Sequence, residues 1–154
     1  YFAGEEKKQE EITQKLNEFE QNMPFNYVDG FESFIKDLKN KSIKTAVVTS
    51  SNLEKMQNVY RKHPEFQSYF DAILTAEDFA ESKPSPDCYL KAAARFEVLA
   101  NECVVFEDSF NGLRSGLASG ARVIGLATTN SIAEIKKYTD EVISNYIGFT
   151  LSNN

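Results

Sequence analysis

The chain has 154 residues, long enough for one domain with its own core, and its 42 % hydrophobic and 26 % charged residues are ordinary for a globular protein. A net charge of −6 argues against a basic surface tracking nucleic-acid phosphates but leaves small anions open, and no apolar run approaches the ~20 residues of a membrane span. The two cysteines, Cys88 and Cys103, have neither CxxC nor zinc spacing and read as free thiols of a reducing, cytoplasmic compartment, while the lone His63 argues against a Ser-His-Asp triad.

In chain order, residues 4–20 (GEEKKQEEITQKLNEFE) predict a charged amphipathic helix with Ile12, Leu16 and Phe19 as its apolar stripe. A break follows at QNMPFNYVDGF, where Asp29-Gly30 reads as a turn, and Phe31, Phe34, Ile35 and Leu38 mark a second helix. From Ile43 the period changes to that of a strand, IKTAVVTS. SNLE at 51–54 matches a capping box opening a helix that runs to about Lys62, with His63 at its surface end. FDAILTA is a second strand. SKPSPD is a loop, and Pro86 suits the first turn of a helix reaching Phe96. CVVFED is a third strand, followed by a helix over 109–118 that Gly120 caps. ARVIGLA, SIAEIKKYT and DEVIS predict a strand, a helix and a short last strand. Alternating strands and helices predict an α/β fold with a mainly parallel sheet, whose ligands bind beyond the carboxyl ends of the strands.

Three strand ends carry polar groups. Thr49, Ser50 and Ser51 read either as an anion site, hydroxyls beside the N–H groups of a helix start, or as a helix cap with local bonds. Lys83 in SKPSP reads either as surface decoration or as a point charge held over a pocket by the proline that follows it. Glu107 and Asp108 read either as first-turn acids of the next helix or as carboxylate ligands of Mg²⁺.

Taken together these segments resemble the haloacid dehalogenase-like superfamily, in its branch of sugar-phosphate phosphatases and β-phosphoglucomutase-like enzymes. KTAVVTSSN resembles the second motif of that superfamily, ESKPSPDCYLKAAARF the third and CVVFEDSFNGLRSGLASGARVIGL the fourth, covering residues 24–145. The resemblance implies a Rossmann-like, doubly wound core over 23–154 and the remnant of a helical cap over 1–22. It implies that Thr49, with Ser50, Ser51 and Lys83, binds the transferring phosphoryl group, Thr49 and Lys83 also serving catalysis. Asp108, with Glu107 beside it, would hold Mg²⁺. The acid pair favours phosphoryl transfer over dehalogenation, which in the superfamily uses no metal.

The superfamily's nucleophile is an aspartate of a DxDG-type motif on the first strand, and no such motif occurs in this sequence. The expectation is therefore a C-terminal piece of a longer protein, whose partner is the N-terminal segment carrying that strand. The parent would be a Mg²⁺-dependent phosphatase of a small phosphorylated metabolite, with no nucleic-acid or membrane partner. The alternatives are a β-phosphoglucomutase-type phosphomutase and, in another class, a non-catalytic phosphate- and metal-binding module. Leu53 falls where the mutase pattern has a polar residue, which weakens the mutase reading.

Overall fold

The computed structural model describes residues 27–151. The expected N-terminal helix over 4–20 and the cap remnant over 1–22 lie outside the described residues. Asp29-Gly30 forms the expected turn, and helix α1 spans Phe31–Asn40. It forms because Phe31, Phe34, Ile35 and Leu38 recur at helical spacing, and all four are buried. Each such side chain contributes roughly 1.5–3 kcal/mol by leaving water.

Strand β1 (Ala46–Val48) leads to α2 (Leu53–Lys62), then β2 (Ala72–Leu74). Helix α3 (Asp87–Arg95) precedes β3 (Val104–Glu107), followed by α4 (Phe110–Ser119), β4 (Arg122–Leu126), the short α5 (Ile132–Ile135) and β5 (Val142–Ile143). Pro86 stands one residue before α3, and Gly120, in the left-handed region, ends α4. His63 caps the C-terminal end of α2. Both cysteines are buried and unbridged. No helix among the described residues is long and apolar enough to cross a membrane.

The expected cap of α2 moves by one residue. Asn52, not Ser51, accepts the N–H of Lys55, at 2.8 Å. Ser51 is instead drawn into the floor of the fold, where its carbonyl takes the N–H of Ala76. The carboxylate of Glu77 then binds the Leu53 N–H at 2.9 and 3.1 Å, so a distant acid supplies the rest of the cap.

Among the described residues all strand pairings are parallel, in two ladders, β1-β2 and β3-β4-β5. Side-chain alternation sorts the strands into two faces. Ala46, Val48, Val105 and Val123 pack with Cys88, Tyr89, Ala92 and Leu113 of α3 and α4. Val47, Phe106, Ile124 and Leu126 pack with Phe34 and Ile35 of α1 and Met56 and Val59 of α2. This is the doubly wound α/β arrangement, with helices on both faces.

The parallel ladders also fix which way each strand's peptide groups point. Thr49 donates to the Leu74 carbonyl and Ala72 to that of Thr45, so alternate residues of β1, Ala46 and Val48, direct their peptide groups to the opposite edge. Arg122 donates to Cys103, which places Val104 likewise on the free side of β3. Among the described residues no strand pairs with either of these two edges.

Gly30 shows what the turn before α1 demands. Its φ is 81°, and an added Cβ would lie 2.5 Å from the Ile147 nitrogen and 2.6 Å from the Tyr146 carbonyl carbon. Gly120 has φ 88° but open space around it. Gly30→Ala is therefore expected to cost about 2 kcal/mol or more, and Gly120→Ala only about 1 kcal/mol of backbone strain. Urea midpoints of the two variants check the order, and equal midpoints would remove the backbone clash as the cause.

Candidate active site

The site lies where β1 and β3 end. Thr49, fully buried, follows β1, and its Oγ1 accepts the N–H of Ser51 at 3.1 Å. A hydroxyl that accepts still has its own proton to donate. Ser50 between them is exposed.

Lys83 reaches this point from the loop before α3. That loop is tied down twice. Asp87 Oδ2 accepts the N–H groups of Ala80 and Glu81, at 2.8 and 3.2 Å, and these bonds hold its carboxyl below the usual range. Buried Ser115 on α4 donates to the Ser85 carbonyl at 2.6 Å. The Lys83 side chain is 6 % exposed, and its Nζ stands 3.4 Å from the Val48 carbonyl and 3.1 Å from Glu107 Oε2. The ammonium thus bridges the end of β1 to the end of β3. The loop-decoration reading of Lys83 does not survive this placement.

Glu107 is fully buried, and both its oxygens are engaged. Oε2 takes Lys83 and the Tyr89 hydroxyl, the latter at 2.8 Å. Oε1 takes the Asp108 and Ser109 N–H groups and the Ser109 hydroxyl, at 3.0–3.1 Å. Burial first, and then the charge of Glu107, pushes the Tyr89 phenol far up, so it stays protonated and donates. Gly112 leaves room for the carboxylate, since a Cβ there would fall 1.9 Å from Glu107 Cδ. Ser109 Oγ accepts the Gly112 N–H and caps α4, so the helix-cap role read for the acid pair belongs to the serine.

Asp108 is also buried. Thr128 and Thr129 donate to its Oδ2 at 3.1 and 3.4 Å, and the Asn130 amide donates to its carbonyl at 3.0 Å. These donors to the carboxylate are neutral hydroxyls, which orient it without cancelling its charge. An oxygen-liganded divalent cation fits that oxygen chemistry. No group of three or more His, Cys, Asp or Glu side chains converges among the described residues. Glu107 would have to release a donor to touch a metal, whereas the Asp108 carboxylate is oriented by the Thr128 and Thr129 hydroxyls.

Thr128, Thr129 and Asn130 join the site from outside the motifs read in the sequence, whereas Tyr89 lies inside one of them. The threonines and asparagine begin two residues past the end of β4, so the rule of reading residues just past each strand points to them. Tyr89 carries no such signal, because it looks like one more buried aromatic of a helix.

A model of the family described as haloacid dehalogenase-like hydrolase matches residues 1–126. Protein SUPPRESSOR OF QUENCHING 1 of Arabidopsis thaliana is 34 % identical over 119 residues, 77 % of this chain and 11 % of that protein. The phosphorylated carbohydrates phosphatase of Thermotoga maritima is 30 % identical over 99 residues, 63 % of this chain and 45 % of that one. A crystal structure of a HAD hydrolase of family IA, variant 3, from Entamoeba histolytica superposes with a TM-score of 0.81 at 27 % identity, covering 94 % of this chain and 66 % of that one. The chain thus spans less than half the length of these two curated relatives. A lysine bridging two strand ends, an acid pair beside it and a family match over most of the sequence converge: the chain belongs to the haloacid dehalogenase-like hydrolases.

Proposed function

We propose that this chain is the core of a Mg²⁺-dependent phosphohydrolase acting on a small phosphorylated metabolite of the sugar-phosphate kind. The observation that carries the reading is the Lys83 ammonium set between the Val48 carbonyl and Glu107, one residue from Thr49 on one side and from Asp108 on the other. A phosphoryl group at this point meets a fixed positive charge and the Thr49 hydroxyl, the preorganised electrostatics that phosphoryl transfer needs. Asp108 would hold Mg²⁺, with Glu107 as the counter-charge of Lys83 beside it. When bound, the metal offsets charge on the phosphoryl oxygens. The name of the Thermotoga relative supports a phosphorylated carbohydrate as the substrate class.

In this reading the nucleophile is a carboxylate on a further strand seated between β1 and β3, which forms an aspartyl-phosphate that water then cleaves. The two separate ladders, whose β1 and β3 ends meet at the Lys83 ammonium, support that placement. Leu53 at the first turn of α2 is half exposed and aliphatic, and its N–H is taken by Glu77, which favours hydrolysis over a mutase's second phosphate contact.

The test is hydrolysis of 4-nitrophenyl phosphate by the protein as its gene encodes it, with and without Mg²⁺. Asp108→Ala and Lys83→Ala are each expected to lower kcat/KM by about 10²–10³-fold, the range seen when one preorganised electrostatic group is removed. Hydrolysis that persists in both variants removes the site. Binding of inorganic phosphate with no hydrolysis in the wild type supports the non-catalytic module instead.

A further inference from the structure

A lysine ammonium on a four-carbon stem does not hold one position by itself; its side chain carries about 2 kcal/mol of rotamer entropy. Its contacts include the Val48 carbonyl at 3.4 Å, Glu107 Oε2 at 3.1 Å, and the ring of Tyr89, whose centroid lies 4.9 Å from Nζ. Tyr89 takes part in two of these, on the ammonium itself and on Glu107. Its ring presents a π face to the ammonium, and its hydroxyl, 2.8 Å from the same Oε2, fixes the carboxylate oxygen that Lys83 grips. Tyr89 is 1 % exposed, in the first turn of α3, with Cys88 beside it also buried. It is thus anchored from the helix side while its polar end faces the strand ends. At 1 % exposure its side chain offers no surface to a ligand, so any effect on substrate passes through Lys83 and Glu107.

We propose that Tyr89 is a positioning residue that sets where the Lys83 ammonium stands between the ends of β1 and β3, using its ring on the lysine and its hydroxyl on the lysine's counter-ion. The proposal rests on Lys83 being the cation for phosphate, but its geometric half can be tested apart from any hydrolysis.

In the protein as its gene encodes it, lysines are acylated with a limiting amine-reactive reagent and read by peptide mass spectrometry, with Lys55 and Lys91 as internal controls. Wild-type Lys83 should label weakly. Tyr89→Phe, which removes only the hydroxyl, should raise its labelling several-fold with Lys55 and Lys91 unchanged. Tyr89→Leu, which also removes the ring, should raise it further. On 4-nitrophenyl phosphate, Tyr89→Phe should lower kcat about tenfold, the size of one hydrogen bond to a charged group. KM should move less than twofold, because the ammonium remains present but less well placed.

Unchanged Lys83 labelling in Tyr89→Phe overturns the proposal. So does a parallel rise at all three lysines with a lowered urea midpoint, which marks plain packing. Should Tyr89→Leu not fold, the Tyr89→Phe labelling decides. Failure of the catalytic reading looks different: wild-type protein that neither hydrolyses the ester nor shows protection of Lys83 by inorganic phosphate, whatever the Tyr89 variants do.

Discussion

Glu107→Ala is expected to leave the protein mostly unfolded at urea concentrations the wild type tolerates, and to abolish hydrolysis. The side chain is fully buried and collects five donors: Lys83, the Tyr89 hydroxyl, two backbone N–H groups and the Ser109 hydroxyl. Removing it leaves the Lys83 ammonium, 6 % exposed, with its charge uncompensated on this side. Breaking one side of a buried ion pair costs roughly 3–5 kcal/mol, out of a total stability of about 5–15 kcal/mol.

Glu107→Gln separates charge from shape. The amide keeps an oxygen for the Asp108 and Ser109 donors but turns an NH₂ toward Lys83 and Tyr89, both of which donate. That mismatch should cost about 1–3 kcal/mol. Adding Lys83→Met to Glu107→Gln removes the buried charge, so the urea midpoint should recover to within about 1 kcal/mol of wild type while hydrolysis stays absent. A wild-type midpoint for Glu107→Ala, or a double variant no more stable than Glu107→Gln, would dismiss the pair as the anchor of the site.

The readable parts of this protein were those set by local periodicity. The α1 face at Phe31, Phe34, Ile35 and Leu38 could be read because a helix buries every third or fourth residue. The strands could be read because short apolar runs stop at hydroxyls or acids. What escaped depends on partners distant in sequence. SNLE satisfies the capping pattern, yet Ala76 takes the Ser51 carbonyl and Glu77 tops the helix, so Asn52 caps it. The helix expected over 131–139 shortens to Ile132–Ile135. Thr139 Oγ1 donates to the Val123 carbonyl at 2.7 Å, which pulls the chain off the helix toward β4. Tyr89 escaped because a phenol's role depends on what faces it, here a carboxylate 18 residues further on. Strand pairing was the least readable, since alternation within each strand is silent about which edges meet.

Those edges lead to the second large expectation, in amide hydrogen exchange of the 154-residue chain. Val47 and Val105 lie in register with Ile73 and Val123, and their N–H groups point into the existing ladders. Ala46, Val48 and Val104 point the other way, toward the edges of β1 and β3 that no strand pairs with among the described residues. Ala46 and Val48 are fully buried as residues, so packing alone would predict uniformly slow exchange. If a further strand belongs between β1 and β3, the outward amides should instead exchange about 100-fold faster than Val47 and Val105, because exchange follows local opening and not side-chain burial. Supplying a segment that carries an apolar strand ending in Asp-x-Asp, in the same chain or as a peptide, should slow Ala46, Val48 and Val104 to the rate of their neighbours. If the proposed function holds, the same addition should bring Mg²⁺-dependent hydrolysis of 4-nitrophenyl phosphate, since the strand that closes the sheet would then carry the nucleophile to Lys83. Outward amides already as slow as Val47 would mean that both edges are covered without it, and the nucleophile would then have to approach from another side.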